Sequence, residues 1–281
     1  MGSETVMRME AVIDYIESHL DGKLDLETIA RASHYSKYHL HRVFTATVGM
    51  RLHDYVQRRQ MTEAAKLLVF SDKRILDIAL SCGYESQQAF SSAFKSMYKT
   101  SPAEYREHCV FYPLQLRFVL HRDVRDRIFT EEDIALAEKE DIPAWMDLMR
   151  LVIDGYPVMD EADYLNQLVR FIDEKRALVL KAEDLLIGVM AFSDQTGCIE
   201  FLGVHPQYRS RGIQKLFLRV LMQRYLPGRE ICMTTYREGD NADTGHREML
   251  KQLGFAERDL LIEFGYPTQR FALPPQDEGG A

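Results

Sequence analysis

Cysteine is scarce in this chain. Its 281 residues include four, Cys82, Cys109, Cys198 and Cys232, far apart and with no CxxC pair. That spacing gives neither a zinc ribbon nor a disulfide framework, so reduced cytosolic thiols are expected. Long apolar runs are absent too. None approaches the roughly 20 residues that cross a bilayer, and no charged-then-apolar opening segment reads as a signal peptide. The expectation is a soluble, cytoplasmic protein with no membrane partner. Histidines at ligand spacing are missing as well. His39 and His41 stand two apart on a helical stretch and point to different sides. His34, His53, His121 and His246 have no neighbour at ligand spacing, so no metal site is expected. What remains is ordinary globular material, with 46% hydrophobic and 28% charged residues. The length argues for two domains.

Charge is uneven. The net charge of -8 hides a central basic segment: residues 31 to 106 carry 12 basic and 6 acidic side chains. Residues 111 to 281 carry 21 basic and 29 acidic. Phosphates feel local charge over a Debye length of roughly 10 Å, so the basic segment outweighs the average. A chance fluctuation is the alternative on charge alone.

The first 110 residues read as two helix-turn-helix units. Met9, Val12, Ile13, Ile16 and Leu20 repeat at helical spacing. Asp25 caps a short helix through Ala32, and Ser36 caps a second with Leu40, Val43 and Phe44 inside. Gly49 closes it, and a long helix follows from about Leu52 to Leu68. The pattern recurs: Ile75, Ile78 and Ala79, then the turn Cys82-Gly83-Tyr84, then Ser86 capping a helix with Phe90, Phe94 and Met97 inside. Ser101-Pro102-Ala103-Glu104 is a capping box opening one more helix. The caps Ser36 and Ser86 are 50 residues apart. A connecting helix of about 20 residues spans about 30 Å. That could set two reading helices in successive major grooves, about 34 Å apart. The outward residues suit base edges: Tyr38, His41 and Arg42 on the first helix, Gln88, Ser92 and Lys95 on the second. Gln pairs with adenine, Arg with guanine, Ser with either, and Lys95 with phosphate. A helical bundle with plain polar faces is the alternative.

The stretch Ala79-Leu80-Ser81-Cys82-Gly83-Tyr84-Glu85-Ser86-Gln87-Gln88-Ala89-Phe90-Ser91-Ser92-Ala93-Phe94-Lys95, with Ser101-Pro102-Ala103-Glu104-Tyr105-Arg106, resembles the signature of AraC/XylS-type transcription regulators. Ser33-His34-Tyr35-Ser36-Lys37-Tyr38-His39-Leu40-His41-Arg42-Val43-Phe44 and Gly49 fit the first half. The likeness covers about residues 8 to 108. It implies double-stranded DNA as partner, with Tyr38, His41 and Arg42 on the first reading helix and Gln87, Gln88 and Ser92 on the second. Lys37 and Lys95 join the DNA-facing set. Ser92 stands where an arginine is common and His41 where a glutamine is common, so the sequence read is not inherited.

The remaining residues read as an α/β domain. Ile134 to Ala137 is a short strand, Asp141 to Leu151 and Asp160 to Lys175 are helices, and Ala177-Lys181, Leu186-Phe192 and Cys198-Val204 are strands. The third strand runs into His205-Pro206-Gln207-Tyr208-Arg209-Ser210-Arg211-Gly212-Ile213-Gln214. A helix then follows with Ile213, Leu216, Phe217, Val220 and Leu221 on one face. Its N-terminus offers unpaired amides and a positive dipole end, flanked by Arg209 and Arg211, and Gly212 allows close approach. This can cradle a pyrophosphate; a tight turn with solvated arginines is the alternative. Trp145, Tyr156 and Tyr164 line a core or an acceptor cleft.

The order of elements and Arg209-x-x-Gly212-x-Gln214 resemble GNAT N-acetyltransferases over about residues 130 to 273. The strand Glu230-Thr234, the helix Gly245-Leu253 and Gly254-Phe255 turning into strand Ala256-Phe264 continue the likeness. It implies that Leu202, Gly203, Val204 and residues Arg209, Ser210, Arg211, Gly212, Ile213 and Gln214 bind acetyl-CoA or another acyl-CoA. Gln214 stands where glycine or alanine is usual. The position of the usual proton-donating tyrosine is Leu250, which cannot donate; Tyr236 is a substitute. The family's asparagine falls near Asp243, with Asn241 a second choice. Amides of Gly203 and Val204 would polarise the thioester carbonyl. Glu200, on one face with Leu202 and Val204, is the first candidate base, and His205 a weaker one.

The expected architecture is therefore multidomain: an all-α double helix-turn-helix (AraC-type) domain, residues 1–108, then a connector, 109–129. An α/β GNAT-like domain with a mixed central sheet follows, 130–274, with a flexible tail, 275–281. The expected function is a sequence-specific transcription regulator, monomer or homodimer, whose second domain binds acyl-CoA and/or a small-molecule effector. The alternatives are an active N-acetyltransferase with an amine acceptor, and a non-catalytic oligomerisation module.

Overall fold

The computed structural model describes residues 3–121, 127–152, 160–263 and 265–275. Residues 122–126 of the expected connector, Tyr156, Phe264 and residues 276–281 of the expected tail lie outside the described residues. The chain divides into two compact units, one built on Met1–Arg125 and the other on Asp126–Val152 and Asp160–Ala281.

The first unit is helical: α1 (Ser3–Glu17), α2 (Leu26–Ala32), α3 (Lys37–Val48), α4 (Leu52–Phe70), α5 (Ile75–Ser81), α6 (Gln87–Tyr98) and α7 (Pro102–His108). Each predicted cap is in place. Asp25 accepts from the Thr28 amide at 2.8 Å, Ser36 from the His39 amide at 3.4 Å and Ser86 from the Ala89 amide at 3.2 Å. At α7, Ser101 and Glu104 bond each other's backbone amides at 2.8 and 3.3 Å. The Ser101 amide is the main reason the Glu104 carboxyl lies down at about 2, below its ordinary 4.5.

The two turns match closely. The Tyr35 amide bonds the Ala30 carbonyl at 2.9 Å, and the Tyr84 amide bonds the Ala79 carbonyl at 3.0 Å. Both turns pass through the left-handed region, at His34 (φ 56°) and Gly83 (φ 79°). One core gathers Leu40, Phe44, Val48 and Tyr55; another gathers Phe90, Phe94, Met97, Tyr98 and Tyr105. Cutting Phe44 or Phe94 to alanine removes a ring from a full core and costs roughly 3–5 kcal/mol.

Part of the expected connector belongs to this unit. Leu114 and Phe118 are buried. The Tyr112 carbonyl accepts from the hydroxyls of Tyr98 and Tyr105 at 3.1 and 3.3 Å. Arg59 reaches both the Gln115 carbonyl at 3.1 Å and the Glu17 carboxylate at 2.6 Å. Arg59 Nη2 also meets the Glu63 carboxylate at 3.1 Å, so losing Glu17 would leave the guanidinium one carboxylate partner. Apolar and basic residues mixed in a row give no period, so the connector's packing on this unit was open to expectation but its buried positions were not.

The second unit runs β1 (Ile134–Leu136), α8 (Ile142–Val152), α9 (Glu161–Asp173), β2 (Ala177–Ala182), β3 (Leu185–Phe192), β4 (Ile199–Val204), α10 (Ile213–Val220), β5 (Ile231–Tyr236), α11 (His246–Gln252), β6 (Ala256–Glu263) and β7 (Tyr266–Leu273). A 3-10 turn, Pro206–Arg211, joins β4 to α10. The unit's strands form two antiparallel sets, β1-β2-β3-β4 and β5-β7-β6. Among the described residues, one parallel bridge, Cys198 to Cys232, links them. β7 has no counterpart in the sequence reading. It carries Pro267 near its start, yet it is the middle strand of its sheet. Trp145 is fully buried, and its indole donates to the Tyr164 hydroxyl at 2.9 Å.

The expectation of reduced thiols fails for one pair. Cys198 and Cys232 form a disulfide across a sequence separation of 34 residues. Facing strands bring them together, which linear spacing could not reveal. Gly197 makes the approach possible: its φ is +74°, and a Cβ there would sit 2.6 Å from the Glu230 carbonyl. Cys82 and Cys109 are free; burial pushes the Cys82 thiol up to about 11.

Candidate functional site

Two caps set the register of the first site. Because Ser36 starts α3 and buries Leu40 and Phe44, the opposite face must carry Tyr38, His41 and Arg42. All three are exposed, Tyr38 at 93%. Ser86 does the same for α6, leaving Gln87, Gln88, Ser92 and Lys95 exposed around buried Phe90 and Phe94. Lys37 is exposed but ion-paired with Glu27 at 2.7 Å. That pairing holds the Glu27 carboxyl below its ordinary range. The cap alignment sets Lys37 against Gln87, Tyr38 against Gln88 and Arg42 against Ser92. The first face is cationic and aromatic; the second, apart from Lys95, is neutral and amide-rich.

Between the two faces, α4 supplies the spacer. Its 19 residues give a rod of roughly 28 Å. Such chemistry suits a duplex: a guanidinium for guanine and amides for adenine, on a basic segment.

The second site lies at the end of β4. His205 donates its amide to the Ile187 carbonyl at 2.8 Å, and the register pairs Gly188 with Val204 and Val189 with Gly203. Bonded and non-bonded pairs alternate in an antiparallel ladder. The Gly203 amide therefore faces β3, and the Val204 amide faces the other way. The two amides therefore do not point the same way; only the Val204 amide faces away from β3. The register between Phe201 and Ile199 slips by one residue, so Glu200 sits on a bulge. Bulges re-aim side chains, and face-sharing with Leu202 no longer follows from simple alternation. The Glu200 carboxyl is raised above its ordinary range, by partial burial first and then by Glu263, against Arg176. A raised carboxyl holds a proton more readily, as a general base must.

Leu202 is half-buried, and Val204 and the turn residues His205 and Tyr208 are buried. Arg209 is half-buried and donates Nε to the Val204 carbonyl at 3.4 Å. Ser210 and Arg211 are exposed; Arg211 lies 5.4 Å from the Tyr208 ring and donates to the Arg127 carbonyl at 3.4 Å. Gly212 adopts φ +72°, with nothing near the place of a Cβ. The first amides of α10, from Gly212, Ile213 and Gln214, lack helical partners by geometry. Ile213 turns its side chain into the core, and Gln214 stays half-buried.

Tyr236 closes β5 and is buried, its ring 6.2 Å from His246. Leu250 is buried and holds no proton. Asp243 accepts from the Gly245 and His246 amides at 2.9 and 2.7 Å, so it starts α11. Sequence reasoning missed Glu263 and Tyr266. The Glu263 carboxylate accepts from Thr268 at 2.8 Å. Tyr266 is pushed up to about 12, by burial and then Asp240 and Glu263. Both flank the turn of the β6–β7 hairpin, where Glu263 pairs with Tyr266.

These features define a class: a protein with two helix-turn-helix units on one basic segment. A helix-turn-helix domain family matches residues 29–108. The chain is 43% identical over 98 residues to YbfP of Bacillus subtilis (strain 168), an uncharacterized HTH-type transcriptional regulator, covering 35% of this chain and 33% of that protein. It thus spans about a third of YbfP's length. It is 43% identical over 95 residues to the HTH-type transcriptional activator AarP of Providencia stuartii, covering 34% of this chain and 70% of AarP. The chain belongs to the AraC-type helix-turn-helix family. A GNAT family acetyltransferase from Streptococcus agalactiae 2603 is 16% identical, with a TM-score of 0.43, covering 51% of this chain and 95% of that one. No helix among the described residues is long and apolar enough to cross a membrane.

Proposed function

We propose that the protein is a cytoplasmic, sequence-specific DNA-binding transcription regulator whose second unit binds acyl-CoA or a small-molecule effector. The observation that carries the first part is the repeated cap register. It exposes Tyr38, His41 and Arg42 on one helix and Gln87, Gln88 and Ser92 on its repeat. Arg42 reads guanine, Gln88 reads adenine, and Lys37 and Lys95 meet phosphates.

For the second part, the donors fit an acyl-CoA. The amides of Gly212, Ile213 and Gln214 and the side chains of Arg209 and Arg211 would hold the pyrophosphate. Acyl-CoA supplies a thioester when bound. The Val204 amide would donate to its carbonyl oxygen, which both a sensor and an enzyme need. An active N-acetyltransferase is the second reading, favoured by the raised Glu200 carboxyl. Glu200 would take the proton from an ammonium acceptor, and nearby Glu263 would favour a cationic one. Leu250 weighs toward the sensor.

One experiment on the full chain tests both parts: fluorescence anisotropy of labelled duplexes across a salt series, with and without acetyl-CoA, beside a calorimetric titration. Affinity falls steeply with salt through counterion release. Acetyl-CoA binds in the micromolar range and shifts the DNA affinity. A flat salt response removes the DNA reading. No heat of binding from folded protein removes the acyl-CoA reading and leaves another effector.

A further inference from the structure

We propose that His39 is a positioning residue that holds Arg42 in the orientation for base reading. This rests on the base-reading role given above to Arg42. The two residues lie three apart on α3 and so are neighbours on its surface. Arg42 Nη2 lies 3.2 Å from His39 Nδ1. A guanidinium only donates, so Nδ1 accepts and the ring proton sits on Nε2. The bond occupies one of five guanidinium N–H groups. A bidentate contact with guanine O6 and N7 needs two more.

Behind His39 the support continues. Its ring stacks on Tyr35, with centroids 5.3 Å apart and planes 28° apart. Tyr35 is fixed in the turn through its amide, 2.9 Å from the Ala30 carbonyl. A line of contacts therefore runs from the turn through His39 to the arginine. A free arginine would lose rotamer freedom on meeting a base; one already held loses less.

The internal repeat says what His39 is not for. With the caps aligned, Ala89 occupies its place in α6, and Ser92 the place of Arg42. That unit keeps the same cap and the same turn bond, made there by Tyr84 two residues before the cap, and α6 forms without a histidine. The helix itself does not require one. Ser36 accepts from the backbone amide at position 39, which any residue but proline supplies. Histidine and arginine are present together in one unit and absent together from the other.

The test uses the full chain and a duplex selected by the parent protein, with all four bases at each position. Arg42→Ala first locates the position it reads. His39→Ala should then lower the preference at that same position by roughly three- to tenfold, the range of one net hydrogen bond. Other positions and the melting temperature should stay as in the parent. In the Arg42→Ala background it should add nothing. His39→Asn sets an oxygen acceptor where Nδ1 was and should restore most of the preference. Equal loss on every duplex, additivity with Arg42→Ala, or no restoration by asparagine would each overturn this inference alone. An Arg42→Ala variant that relaxes no single position would overturn the base-reading role as well.

Discussion

Among the exposed residues of α3, Arg42 is the one whose chemistry names a base. Its partner His39 is one turn back, and its repeat equivalent is a serine. Arg42→Ala should therefore cost roughly 1–3 kcal/mol on the preferred duplex and relax choice at one position. Anisotropy on single-base variants measures this; equal weakening on all of them would make Arg42 a phosphate contact. The outward positions were legible because a cap fixes the phase of a helix, and phase alone decides which residues face out. Gly203 was not. Which way an amide points depends on strand pairing, and the ladder gives its amide to β3. Glu200 likewise landed on a bulge that no residue of β4 announces.

At the scale of elements, the described helices of the first unit follow their apolar periods, and α2, α3, α6 and α7 their side-chain caps. The strands of the second unit are less open to reading. β7 contains Pro267, and it lies between two partners in the three-stranded sheet. The Cys198–Cys232 disulfide joins the start of β4 to the start of β5, and Arg229 grips the carbonyls of Asp194 and Gln195 in the turn before it. In the chain-entropy picture, closing a loop of this separation stabilises by roughly 3–4 kcal/mol. Reductant, or Cys198→Ser, should lower the melting midpoint of the second unit. Fluorescence of Trp145 reports on that unit, because the chain has no other tryptophan. An unchanged midpoint would mean that the pair adds nothing to stability.

Over the whole molecule, the acidic total of -8 misleads as a guide to partners. The basic surplus lies in residues 31 to 106, which hold most of both helix-turn-helix units. The central claim is that these units read sequence and do not merely hold phosphates. The most direct measurement is selection of bound duplexes from a fully randomised pool by the full chain. The account predicts two short preferred blocks about 10 base pairs apart, centre to centre. One should be anchored by guanine, for Arg42, and the other by adenine, for Gln88. A bound pool as random as the starting one, at the same affinity, would contradict it.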